Sequence, residues 1–106
     1  MIDEEIKRFE EEFGKCEVER TDECLILKAG KFERRICFFE DGKRKYEWNL
    51  KDGRDEGKQF GWYENGNKKF ELNFKNGKEE GKQFGFYKNG NKRYELNFKD
   101  GVRVDD

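Results

Sequence analysis

The apolar positions of this chain follow two periods. Ile2, Ile6, Phe9 and Phe13 fall at steps of four, three and four, which lines one face of a 3.6-residue helix. Asp3, Glu4 and Glu5 favour the positive end of that helix's dipole, and Gly14 suits the position just past its C-terminus. Asp3–Lys7 and Glu4–Arg8 add i,i+4 pairs worth about 0.3 kcal/mol each. After Gly14 the period falls to two. Strand-like stretches at 15–20 and 23–28 flank a turn at Thr21-Asp22. Both faces of Cys24-Leu25-Ile26-Leu27 are apolar, so the helix is expected to pack over this strand. Ala29-Gly30 then turns the chain onward.

The rest is a repeat. Residues 57–80 and 81–104 are nearly the same 24-residue unit, and a weaker copy at 33–56 keeps Phe39, Gly42, Glu47, Asn49, Lys51 and Gly53. Such a period marks an array whose units bury apolar surface against their neighbours. Each unit has two turn signals. Asp41-Gly42, Asn65-Gly66 and Asn89-Gly90 form one set, Asp52-Gly53, Asn76-Gly77 and Asp100-Gly101 the other. The first set predicts type I′ hairpins, in which both central residues take positive φ. Phe70, Leu72 and Phe74 alternate with Glu71, Asn73 and Lys75. Two strands per unit advance a sheet by roughly 10 Å.

The pattern predicts a mainly β protein, an antiparallel meander of stacked 24-residue hairpin repeats with about six to eight strands and a short N-terminal capping helix. Residues 1–32 form an acidic helix-and-hairpin cap, followed by repeats at 33–56, 57–80 and 81–104. The columns Phe38/Trp62/Phe86, Phe39/Tyr63/Tyr87, Tyr46/Phe70/Tyr94 and Leu50/Phe74/Phe98 are expected to stack as a continuous core. Glu47/Glu71/Glu95 and Asn49/Asn73/Asn97 form a column that reads as a binding stripe or, equally well, as a cross-strand ladder with Lys51, Lys75 and Lys99.

Composition sharpens this picture. Only 32% of the 106 residues are hydrophobic and 46% are charged, a balance that leans toward disorder. Aromatics at 16% that recur in register, with no proline, argue for a folded chain. The net charge of −1 hides an asymmetry: residues 1–27 hold ten acids and four bases, which leaves the remainder at +5. An acidic head thus precedes a basic array, which attracts it or offers a docking patch to an oppositely charged partner. Cys16, Cys24 and Cys37 have no paired-ligand spacing and read as free thiols of a reducing cytoplasm, with a Cys16–Cys24 bridge as the alternative. Neither a membrane span nor a signal peptide is expected. There is no His or Ser and one Thr, so Ser–His and Cys–His nucleophilic machinery cannot be assembled. The chain is read as non-enzymatic, without cofactor or metal.

The run Gly-x-x-x-Gly-x-Tyr-x-Asn-Gly followed by Glu-x-Asn-Phe-Lys-Asn-Gly is carried by Gly57, Gly61, Tyr63, Asn65, Gly66, Glu71, Phe74 and Gly77, and again 24 residues later. It resembles the MORN-type repeat in its bacterial variant, as concatenated in YwqK-family antitoxins. The first copy departs, with Glu33 and Cys37 in place of the two leading glycines. The resemblance implies a partner-binding scaffold and, through the antitoxin likeness, an inhibitor that sequesters an effector protein such as a nuclease toxin. A phage-type, anti-CRISPR-like inhibitor of an RNA-guided nuclease needs the same features. The other alternative is a scaffold or a module for anionic lipid. Direct nucleic-acid binding is disfavoured by a pI of 5.7. The residues expected to meet a protein partner are Glu10, Glu11, Glu12, Glu17, Glu19, Asp22 and Glu23 of the head, with Trp62, Tyr63 and Tyr87 of the array. The sequence sets no oligomeric state.

Overall fold

The computed structural model describes residues 2–104 as a helix followed by one antiparallel sheet. Helix α1 spans Ile2–Phe13. The strands are β1 Glu17–Arg20, β2 Cys24–Ala29, β3 Phe32–Phe38, β4 Arg44–Lys51, β5 Arg54–Asp55, β6 Gly57–Trp62, β7 Lys68–Lys75, β8 Lys78–Glu79, β9 Gly81–Phe86, β10 Lys92–Lys99 and β11 Val102–Val104. They run in sequence order, with β5 and β8 set off the main path. The strand number exceeds the expected six to eight because β5, β8 and β11 are short returns that hairpin against β4, β7 and β10.

Helix α1 stops where its glycine allows. Gly14 takes φ +90° and its N–H donates to the Glu10 carbonyl at 2.9 Å. Phe9 is fully buried against Leu25, Leu27 and Ile36, ringed by Ile2, Ile6, Phe13, Phe32 and Phe38. Among the described residues these four are the only buried hydrophobic side chains. Most rings of the aromatic columns in the later repeats are half-buried on a single-layer sheet, and Tyr87 and Tyr94 are exposed, so the columns form no continuous core. Register also puts them on two faces: Trp62 and Phe86 lie on the helix side, while Tyr46, Phe70 and Phe74 lie on the other.

Pairing is dense in the head and sparse between repeats. Strands β2 and β3 share six residue pairs, whereas β4 meets β6 only at Tyr46–Gly61 and Glu47–Phe60. Strands β7 and β9 likewise meet only at Phe70–Gly85 and Glu71–Phe84. Beyond each two-residue contact a glutamine completes the ladder. The Asn49 N–H donates to Gln59 Oε1, and Gln59 Nε2 donates back to the Asn49 carbonyl at 2.6 Å. Asn49 Nδ2 then donates to the Lys58 carbonyl at 2.6 Å. Gln83 and Asn73 repeat the exchange at 2.7 and 2.8 Å. A side-chain amide thus stands in for a strand peptide, and both glutamines are buried. Asn49 and Asn73 therefore serve the joints between repeats, a different role from the ladder expected of them. Gly61 and Gly85 are needed beside it, because a Cβ there would lie 2.3 and 2.1 Å from the Phe70 and Tyr94 rings.

The type I′ geometry expected of the Asp41, Asn65 and Asn89 turns is found in the other set instead. Asp52, Asn76 and Asp100 take φ near +50° and each is followed by a positive-φ glycine, as type I′ requires. In the Asp41, Asn65 and Asn89 set only Gly42, Gly66 and Gly90 are left-handed. There the preceding Asp or Asn turns its side chain inward: Asn65 Oδ1 accepts the Asn67 N–H at 2.9 Å, which fixes a three-residue loop ending in a left-handed glycine.

The thiol reading is also corrected. Cys24 and Cys37 sit directly opposite one another on β2 and β3 and form a disulfide, leaving Cys16 free. The partner is set by strand register, which sequence spacing does not display. The bridge removes the argument that placed these thiols in a reducing compartment. Burial foremost, and the Glu10 carboxylate next, push the Cys16 thiol above its ordinary pKa. A thiol-specific reagent is expected to titrate one thiol in the native protein and three after reduction and unfolding. Replacing Cys24 and Cys37 by Ser opens a bridge with a sequence separation of 13. Urea titration should then show a loss of about 2–3 kcal/mol.

Candidate protein-binding face

Residues opposite one another in an antiparallel sheet share a face, so register defines a row across this molecule. On the helix side the row reads Leu25, Ile36, Glu47, Phe60, Glu71, Phe84 and Glu95. Helix α1 covers its first part. Glu5 pairs with Arg44, Glu12 with Arg34 at 3.4 Å, and Phe13 stacks on Phe32 at 4.3 Å. The helix therefore runs antiparallel to β3. Arg34 is buried, donates to Asn49 Oδ1 at 2.6 Å and lies 5.5 Å from the Phe9 ring centroid.

Each repeat carries a glutamate between two bases on this face. In the first, Glu47 lies 3.8 Å from Arg34 and 3.6 Å from Arg44. In the second, Glu71 lies 2.8 Å from Lys58 and 2.7 Å from Lys68. In the third, Glu95 lies 3.2 Å from Lys82 and 2.5 Å from Lys92. Beside the last two groups, Phe60 stacks with Trp62 at 5.6 Å and Phe84 with Phe86 at 6.3 Å. Lys68 and Lys92 sit 5.2 and 5.5 Å from the Phe60 and Phe84 centroids. These four rings are half-buried, whereas Ile36, the counterpart of Phe60 and Phe84, is fully buried beneath α1.

Burial raises the Glu71 pKa, but hydrogen bonds and charge from Lys58 and Lys68 outweigh it and hold the carboxyl below its ordinary value. Hydrogen bonds from Lys92 and Lys82 lower that of Glu95. A depressed carboxylate stabilises the fold above the unfolded value of about 4.3, and that contribution disappears as pH falls through the folded pKa. Glu71→Gln should therefore show a shallower loss of urea midpoint than the parent protein as pH falls from about 6 to about 3.

The acidic head residues do not converge on one patch. Glu10 accepts the Cys16 N–H at 2.9 Å, and Glu12 is turned toward Arg34. Glu17 and Glu19 project from β1 on the face away from α1, while Glu11 is exposed. Asp22 and Glu23 line a cleft of about 610 Å³ with Phe38, Phe39 and Lys45. Trp62 and Tyr63 line a neighbouring cleft of about 420 Å³ that shares Phe39, Lys45 and Glu64 with it. Tyr63 donates its hydroxyl to the Phe86 carbonyl at 2.7 Å and thereby joins two repeats, while Tyr87 is exposed. Sequence reasoning missed the base–Glu–base groups and the two glutamines. The signal available for the glutamines was their recurrence at 59 and 83 against Arg35 in the first copy, where β3 pairs with the preceding strand β2 along its length and needs no such joint.

Among the described residues no helix is long and apolar enough to cross a membrane. The family model of the MORN repeat variant matches residues 55–76 and 79–100. No curated protein and no solved structure matches the chain. Two repeats of this type are consistent with a protein- or lipid-binding module.

Proposed function

We propose that these two repeats make the chain a non-enzymatic protein-binding module, which acts as an inhibitor by occupying an effector protein, a nuclease being one candidate. The observation that carries this reading is the open aromatic face. Phe60, Trp62, Phe84 and Phe86 lie uncovered on the surface that α1 seals in the first repeat. Half-buried aromatics rimmed by charged groups are the usual anchors of a protein interface. The lack of His and Ser supports a role without catalysis. Each open repeat places two lysines around one glutamate on this face, a small positive excess that gives anionic lipid little purchase.

The test compares immobilised protein with its Phe60→Asp/Phe84→Asp variant, checked for fold by circular dichroism, against lysate of the source cell and against phosphatidylserine vesicles. A protein retained in stoichiometric amount by the parent and released by the variant supports the reading. Retention of vesicles with no protein captured would replace it with a lipid-binding role.

A further inference from the structure

Helix α1 shows in cis what the array face accepts. Its Ile2, Ile6, Phe9 and Phe13 cover apolar groups of the sheet, while Glu5 and Glu12 reach the two bases that flank Glu47. Seven residues separate those acids, two helical turns or about 10.5 Å. The charged groups and one apolar position on the sheet side of that contact recur at the repeat step, whereas Leu25 and Leu27 precede the repeats and Phe32 becomes Glu56 and Glu80. Arg34 becomes Lys58 and Lys82, Arg44 becomes Lys68 and Lys92, Glu47 becomes Glu71 and Glu95, and Ile36 becomes Phe60 and Phe84. The dimensions also agree. A helix is about 10 Å across, and two strands of sheet span roughly the same width, so each repeat is one helix wide. A cleft of about 440 Å³ already continues the helix seat onto the second repeat, between Glu12 and Phe13 on one side and Lys58 and Phe60 on the other.

Resting on the protein-binding reading, we infer that the second and third repeats each seat an acidic amphipathic helix of the partner. That helix lies along β6 or β9 as α1 lies along β3. It presents an apolar stripe to the aromatic pair and two carboxylates about two turns apart to the flanking lysines. Each lysine ammonium has three donors and spends one on its glutamate, so it keeps donors for an incoming carboxylate. Glu71 and Glu95 hold the ammonium groups in place and set the spacing. The open repeats offer two rings each where the head offers Leu25, Leu27 and Ile36, so a single seat is weaker than the one α1 occupies.

The probe is a peptide of residues 2–14 with blocked ends, held helical by a lactam between Lys7 and Glu11, which lie i,i+4 on the exposed side of α1. Amide spectra of the full chain report where it binds. Saturable shifts at Phe60, Glu71, Phe84 and Glu95 are expected, with a dissociation constant on the order of 10–100 μM. Replacing the peptide's two acids (Glu5→Gln, Glu12→Gln) should weaken binding about tenfold or more, and the Lys58→Gln/Lys82→Gln chain should lose a similar factor. Two results would overturn the inference: shifts confined to Leu25, Leu27 and Ile36, which would mean that the peptide displaces α1, or no shifts from a peptide proven helical. If either occurs while the Phe60/Phe84 variant still releases a captured protein, the helix inference falls and the protein-binding reading stands. If no protein is captured at all, that reading falls.

Discussion

Phe9→Ala is expected to lower the free energy of unfolding by about 4 kcal/mol, the upper part of the range for a buried ring truncated to methyl. Three things are lost together. The ring is fully buried, and it touches the only other buried hydrophobic side chains among the described residues, Leu25, Leu27 and Ile36. It also lies under the Arg34 guanidinium and 4.9 Å from Phe13, so its removal loosens the hold of α1 on the sheet. A loosened helix draws Glu12 away from Arg34 and Glu5 away from Arg44, which adds to the cavity cost. Urea denaturation followed by far-ultraviolet circular dichroism measures the loss, and amide exchange locates it. Protection should fall first in β2 and β3. A loss below about 1 kcal/mol would mean that the head is not the principal core.

Gln59→Leu is the second large effect. The substitution keeps the volume and apolar reach but removes the amide that bonds both the N–H and the carbonyl of Asn49. The carbonyl retains the Glu56 N–H at 3.0 Å, so the N–H is the orphan. One orphaned buried donor plus two lost hydrogen bonds amounts to about 2–4 kcal/mol. Gln83→Leu cuts the same joint one repeat later, where only the last hairpin depends on it, and should cost about half as much. The two variants also differ in shape of transition. Gln59→Leu should broaden the urea curve, because the repeats beyond the cut uncouple from the head. Equal costs at both positions would show that the joint does not carry cooperativity along the array.

The gross architecture was readable because its determinants are local. The step pattern of Ile2, Ile6, Phe9 and Phe13 fixes a helix, and the alternation around Phe70, Leu72 and Phe74 fixes strands, without knowledge of distant partners. The Asp52, Asn76 and Asp100 turns were legible for the same reason. What escaped depends on register. Whether Cys24 meets Cys16 or Cys37, and whether Glu71 pairs with Lys75 or with Lys58 and Lys68, is decided by which strands lie opposite. The Asn65 turn was misread because the dipeptide alone does not reveal that its side chain caps Asn67. The acidic head was read as one surface, yet strand alternation sends Glu17 and Glu19 to the far side while Glu12 is drawn onto Arg34. Attraction between head and array, expected from their charges, takes the form of the Glu5–Arg44 and Glu12–Arg34 pairs. The aromatic columns were recognised, but a single-layer sheet leaves them half-open where a sandwich would have closed them.

The joint between repeats has a consequence for growth. Each unit grips the next through groups that recur at both joints: Gln59 and Gln83 on the preceding strand, and the Glu56 and Glu80 carboxylates on the Asn76 and Asp100 N–H groups. The joint between the last two repeats adds the Tyr63 hydroxyl on the Phe86 carbonyl and the Asn65 and Asn67 amides on the Lys88 carbonyl. Nothing in that grip refers to the head or to the last strand, so the number of units is a free variable. Duplicating residues 57–80 would lengthen the sheet by one hairpin and add one more lysine–glutamate–lysine group, with no existing contact redesigned. Reach along a partner can thus change in whole steps by copying, while the head, present once, keeps the ladder anchored at one end.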